Sequence, residues 1–164
     1  MKISCICFSV ERAVITLVLV LSFFFLPTFT FPQGGTAGHL FYPISHANIW
    51  HLAANVCFLW LIKCRLNIIA SYLIAVLCSF LPSPQFSITQ LSVITDPTMG
   101  FSGVLFAVVG VSWGNVNRFK DMVWKNKWFL IIPFFIPHVN ALIHLYCLLG
   151  GYLYGLCEKR LKQS

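Results

Sequence analysis

The chain has 164 residues, 59% of them hydrophobic and only 9% charged, with a mean hydropathy of +0.84. Soluble domains are about a quarter charged and need a polar surface around their core; this composition excludes soluble globular, disordered and fibrous classes and leaves a polytopic membrane protein of one domain. Eleven Lys and Arg stand against Glu11, Asp96, Asp121 and Glu158, a net charge of +7, and the placement of those charges separates nucleic-acid binding from membrane orientation.

A spanning helix takes roughly 20 residues, fewer where the bilayer thins, so the chain has room for about six crossings. The first apolar segment runs from about Ala13 to Phe31 and carries Pro27. It resembles a signal peptide in outline, but no A-x-A-like site follows, although Gly34–Gly38 is permissive, and a retained span is expected. The second segment runs from Ala47 to Ile62, the third from Leu66 to Leu81, and the fourth from Phe101 to Val116. The fifth, from Met122 to Ile136, is interrupted by Lys125, Asn126, Lys127 and Pro133, and the sixth runs from Val139 to Leu156. Several are short, so thin or tilted helices are expected.

The connectors orient these segments. Lys2 and Arg12 precede the first, Lys63 and Arg65 follow the second, and Arg118, Lys120, Lys125 and Lys127 lie around the start of the fifth. Lys159, Arg160 and Lys162 follow the sixth, whereas Pro32–His46, Pro82–Gly100 and Pro137–Asn140 contain no Lys or Arg. Six crossings put every basic residue on one side, with both termini cytoplasmic. The charge therefore marks orientation in a lipid bilayer and implies no nucleic-acid partner. Residues 1–12 read as a cytoplasmic N-terminal segment, 13–157 as the six-span domain and 158–164 as a cytoplasmic tail.

Cys57, Cys78 and Cys147 lie in apolar runs, where free Cys behaves as a small hydrophobe. Cys5-x-Cys7, Cys64 and Cys157 lack a second Cys/His pair at metal-ligand spacing, so no metal is expected. Trp50, Trp60, Trp113, Trp124 and Trp128 read as interface anchors, and His46 and His138 as interfacial helix ends.

Polar side chains within the apolar segments are costly and usually face a cavity or a partner. His51 and Asn55 open the second segment about 40° apart on one helical face, with His46 about 140° from His51 and facing elsewhere. The fourth segment opens Gly100-Phe101-Ser102-Gly103, and the sixth carries His144. At ~1.5 Å rise per residue, Ser102, His144, His51 and Asn55 share one shallow depth below the outer leaflet. A hydroxyl, two imidazoles and an amide in one layer read as nucleophile, base and hydrogen-bond donors. Gly103, Ala107, Gly110 and Gly114 form a small-residue stripe on the fourth segment, and Gly151 and Gly155 lie on the His144 face of the sixth; such faces let membrane helices approach closely.

His46-x4-His51-x3-Asn55, Gly100-Phe-Ser102-Gly103 and His144 with Gly151, in this order over residues 10–157, resemble the rhomboid family of intramembrane serine proteases. The resemblance implies an all-α six-helix bundle, with Ser102 as nucleophile and His144 as general base. It further implies an oxyanion hole from His51, Asn55 and the Ser102 backbone N–H, with His46 in support and no cofactor. Phe106 stands where many relatives carry a Tyr that stacks on the catalytic His, and Ile143 and Cys147 replace an Ala and a Gly. The first outer loop has no Trp-Arg pair, so its helix is expected to be reduced or missing, and the fifth helix thin. The implied partners are transmembrane substrates, and the implied place is a bacterial-type plasma membrane. Two other classes stay open: an inactive rhomboid-like protein that binds transmembrane helices, and a haem or metal protein using His51 and His144.

Overall fold

The computed structural model describes residues 2–163, apart from 83–84, 88–89, 95–96, 117–118 and 136–138. Arg118, His138 and the Pro137 start of the last connector fall outside the described residues. Helix α1 covers Lys2–Phe25. The apolar run continues to Phe31, but the helix stops short, because Pro27 has no N–H and forces the residue before it out of the α region. The chain then runs on to Phe31, which forms an antiparallel bridge with Thr98.

The loop after α1 holds a short helix, α2, Gly35–Phe41, which runs into a 3-10 turn, Tyr42–Ile44. His39 on α2 stacks between Phe31 and Phe80 and hydrogen-bonds Ser79 Oγ at 2.8 Å, which seats the loop helix on the end of the third apolar segment. The second and third segments form α3, Ile49–Leu61, and α4, Ile68–Ser79. Asn48 starts α3 by accepting from His51 N at 2.9 Å.

The connector to the fourth segment holds β1, Gln85–Ser87, and β2, Gln90–Ile94, an antiparallel pair in an otherwise helical chain. Then come α5, Ser102–Val116, and a fifth segment in pieces: α6, Phe119–Lys125, and α7, Lys127–Ile131, with a 3-10 turn at Ile132–Phe134. The break falls at Asn126, whose side-chain amide bonds back to Met122 O at 2.8 Å. The last helix, α8, runs Ala141–Leu161. Among the described residues α8 is the helix long and apolar enough to cross a membrane; α3, α4 and α5 are apolar but shorter.

Packing centres on α5 and α8. A Cβ at Gly110 would strike Leu148 O, at Gly151 Ala107 O, at Gly114 Tyr152 O and at Gly155 Val111 O. The small-residue stripes thus place backbone directly against backbone, as close approach of membrane helices requires. Val104, Leu105, Ala107, Val108, Cys147 and Leu148 fill the buried core around this seam. Trp113 belongs to that core at 5% exposure, a correction to its reading as an interface anchor: it faces inward from α5, whereas Trp50, Trp124 and Trp128 are exposed. On the outer face of α4, Ile69, Leu73 and Leu77 recur at helical spacing and are exposed.

Overpacking a tight interface costs about 1–3 kcal/mol, and more where backbones must separate. Gly151→Leu is expected to lower the thermal unfolding midpoint in detergent clearly, whereas Ile69→Leu on the outer face of α4 leaves it unchanged. Equal midpoints for the two variants would contradict the packing assigned to the seam.

Candidate active site

Ser102 is the first residue of α5, and His144 lies one turn into α8. Because the glycine seam brings these helices together, Ser102 Oγ lies 2.7 Å from His144 Nε2. For the hydroxyl to donate, Nε2 must be the bare ring nitrogen, which puts the neutral imidazole's proton on Nδ1. His144 Nδ1 is buried, and among the described residues it has no hydrogen-bond partner, carboxylate or other. Phe106, one turn along α5 from Ser102, orients it instead: the rings stack at 4.5 Å and 24°.

His51 and Asn55 come one turn apart from α3 and meet Gly100. Gly100 has φ +118°, a conformation that L side chains rarely adopt. A Cβ there would lie 2.7 Å from His51 Cε1 and Nε2 and 3.6 Å from Asn55 Nδ2. Glycine therefore serves both the turn before α5 and the approach of these two side chains. Asn55 gives one amide hydrogen to His51 O at 3.0 Å; an amide carries two. The Ser102 N–H belongs to the first turn of α5, where helical N–H groups have no intrahelical acceptor. Gly103 is also packed closely, since a Cβ would meet Tyr42 Oη at 3.0 Å and Cys147 Sγ at 3.4 Å.

These groups share a cavity of about 530 Å³, lined among others by Tyr42, His51, Asn55, Gly100, Ser102, Asn140 and His144, with Phe58, Met99 and Ile143 as apolar wall. His46 does not face away from His51. It precedes α3, so helical spacing does not apply to it, and its ring packs edge-on against the His51 ring at 5.2 Å. It is buried just before the start of α3. Three lining or adjoining residues escaped the sequence reading, namely Tyr42, Thr98 and Asn140. A polar residue directly before an apolar helical run is a cap signal that points to Asn140; Tyr42 and Thr98 carry no such mark.

Burial first, and then the neighbouring His51, push the His46 imidazole down to about 4 from its ordinary 6.5. Above that ordinary value both folded and unfolded chains are neutral at this position. As pH falls from about 6.5 to about 4 the unfolded chain takes a proton that the folded chain refuses, so stability is lost across that window. His46→Gln is expected to lose less thermal stability between pH 7 and pH 4.5 than the native chain; an equal loss would contradict the assignment.

Comparison with curated proteins and with solved structures gives no match. The family model described as Rhomboid domain does match, over residues 33–160, a stretch that holds Ser102, His144, His51, Asn55 and Gly100. The chain therefore belongs to the rhomboid family, integral membrane proteins that are in general intramembrane serine proteases.

Proposed function

We propose that the chain is an active serine endopeptidase that cuts transmembrane segments of membrane-protein substrates near the outer leaflet. The observation that carries this reading is the 2.7 Å approach of Ser102 Oγ to His144 Nε2 at the wall of a cavity. In the first step the Oγ lone pair attacks the scissile carbonyl carbon while Nε2 takes the hydroxyl proton. The carbonyl π electrons move onto oxygen, where His51, Asn55 and the Ser102 N–H donate to the developing charge. As the intermediate collapses the C–N bond breaks and His144 passes its proton to the leaving amine. Water then enters, His144 removes its proton, and the acyl bond to Ser102 is hydrolysed. Substrates must unwind locally to present a carbonyl free of helical bonding, so residues of low helix propensity near the outer end favour cleavage.

Contacts between the segments flanked by basic residues support six crossings with both termini cytoplasmic. Arg12 of α1 donates to Leu59 O, Ile62 O and Cys64 O at the end of α3, beside Lys63 and Arg65. Asn115 near the end of α5 bonds Glu158 near the end of α8 at 3.3 Å. The middle of α1 thus meets the end of α3, and the ends of α5 and α8 meet each other, beside basic residues, while Phe31, Thr98 and Asn140 meet at the opposite ends of α1, α5 and α8. In this topology α6 and α7 make the fifth crossing, Ile69, Leu73 and Leu77 face lipid, and the membrane is a bacterial-type plasma membrane.

The test is cleavage of a single-span reporter in liposomes. The native chain is expected to cleave it, Ser102→Ala and His144→Ala to fall to background, and His51→Ala and Asn55→Ala each to lose about 10²–10³ in rate where they supply an oxyanion donor. Equal cleavage by the native chain, Ser102→Ala and His144→Ala would overturn the reading, and reporter binding without cleavage would favour an inactive helix-binding protein.

A further inference from the structure

At the Ser102 end of α5, two hydrogen bonds cross to the His144 segment, and both join residues 42 apart in the chain. One is Ser102 to His144. The other lies four residues earlier on both sides: Asn140 Nδ2 donates to Thr98 Oγ1 at 3.0 Å, and both residues are buried. The two bonds are successive rungs, with the outer rung one turn of α8 above the inner.

Each end of the outer rung is fixed independently. Thr98 exchanges two main-chain hydrogen bonds with Phe31, at 3.1 and 2.9 Å, and the loop continues to Gly100, whose N–H donates to Tyr42 O at 2.9 Å. At the other end Asn140 Oδ1 accepts from Ile143 N at 3.2 Å and so caps α8, the helix that carries His144. One side chain thus uses its oxygen on one segment and its nitrogen on the other.

We propose that Asn140 is a positioning residue, whose buried amide sets the height of His144 against Ser102 by capping α8 and gripping Thr98 in the loop before α5. The proposal rests on the protease reading for its consequence but not for its geometry. Glycine contacts hold α5 and α8 at close range and the Asn115–Glu158 bond ties their far ends, but at the Ser102 end a slide of 1 Å is enough to spoil a catalytic pair. The outer rung resists that slide.

Thr98→Val removes the acceptor without changing shape, and Asn140→Ser keeps a capping oxygen but is too short to reach Thr98. On the liposome reporter both are expected to lower kcat about tenfold and leave KM within about twofold, the pattern of a misplaced catalytic pair. A readout independent of proteolysis comes from Ser102→Cys, whose thiol is activated by the same imidazole. Its iodoacetamide alkylation rate at pH 7, resolved by mass spectrometry, is expected to fall about tenfold when Thr98→Val is added. An unchanged alkylation rate in Ser102→Cys with Thr98→Val, or a loss of kcat/KM in folded variants through KM alone with kcat unchanged, would overturn the proposal. A lowered alkylation rate beside a native chain that cleaves nothing would support the positioning role and overturn the protease reading. Should Asn140→Ser fail to fold, Thr98→Val decides.

Discussion

The backbones of α5 and α8 touch because Gly110, Gly114, Gly151 and Gly155 put hydrogen where any other residue would put carbon. Everything at the site follows from that contact. A serine hydroxyl and an imidazole on different helices reach hydrogen-bond distance only if the helix axes run close, since neither side chain is long. The seam supplies the distance, and the capped end of α8 supplies the height.

Around the seam the remaining elements shape one wall each. Helix α3 brings His51 and Asn55 against Gly100, whose positive φ and missing side chain admit them. The loop helix α2 is anchored by His39 between two aromatic rings, and the turn after it delivers Tyr42 to the cavity. Stacking by Phe106 orients the imidazole by packing, and among the described residues no carboxylate reaches the buried Nδ1.

Much of this was legible in the sequence, for particular physical reasons. Long apolar runs located α3, α4, α5 and α8, because bilayer and core alike select such runs. The face shared by His51 and Asn55 followed from helical spacing, which holds inside α3. The same spacing failed for His46, which precedes the helix, and placed it away from the ring it touches. Trp113 was misread because tryptophan suits both an interface and a core, and composition does not say which way α5 turns it. The fifth segment broke into α6 and α7 at Asn126, whose side chain competes for a backbone carbonyl. The strand pair in the connector between α4 and α5 has no alternating apolar pattern long enough to be read.

The most direct test is labelling with a fluorophosphonate, which reports an activated serine without any need for the right substrate. With the purified chain in detergent, the account predicts a single adduct, mapped by mass spectrometry to Ser102 and lost in His144→Ala. No adduct at Ser102, or one that persists undiminished in His144→Ala, would contradict it.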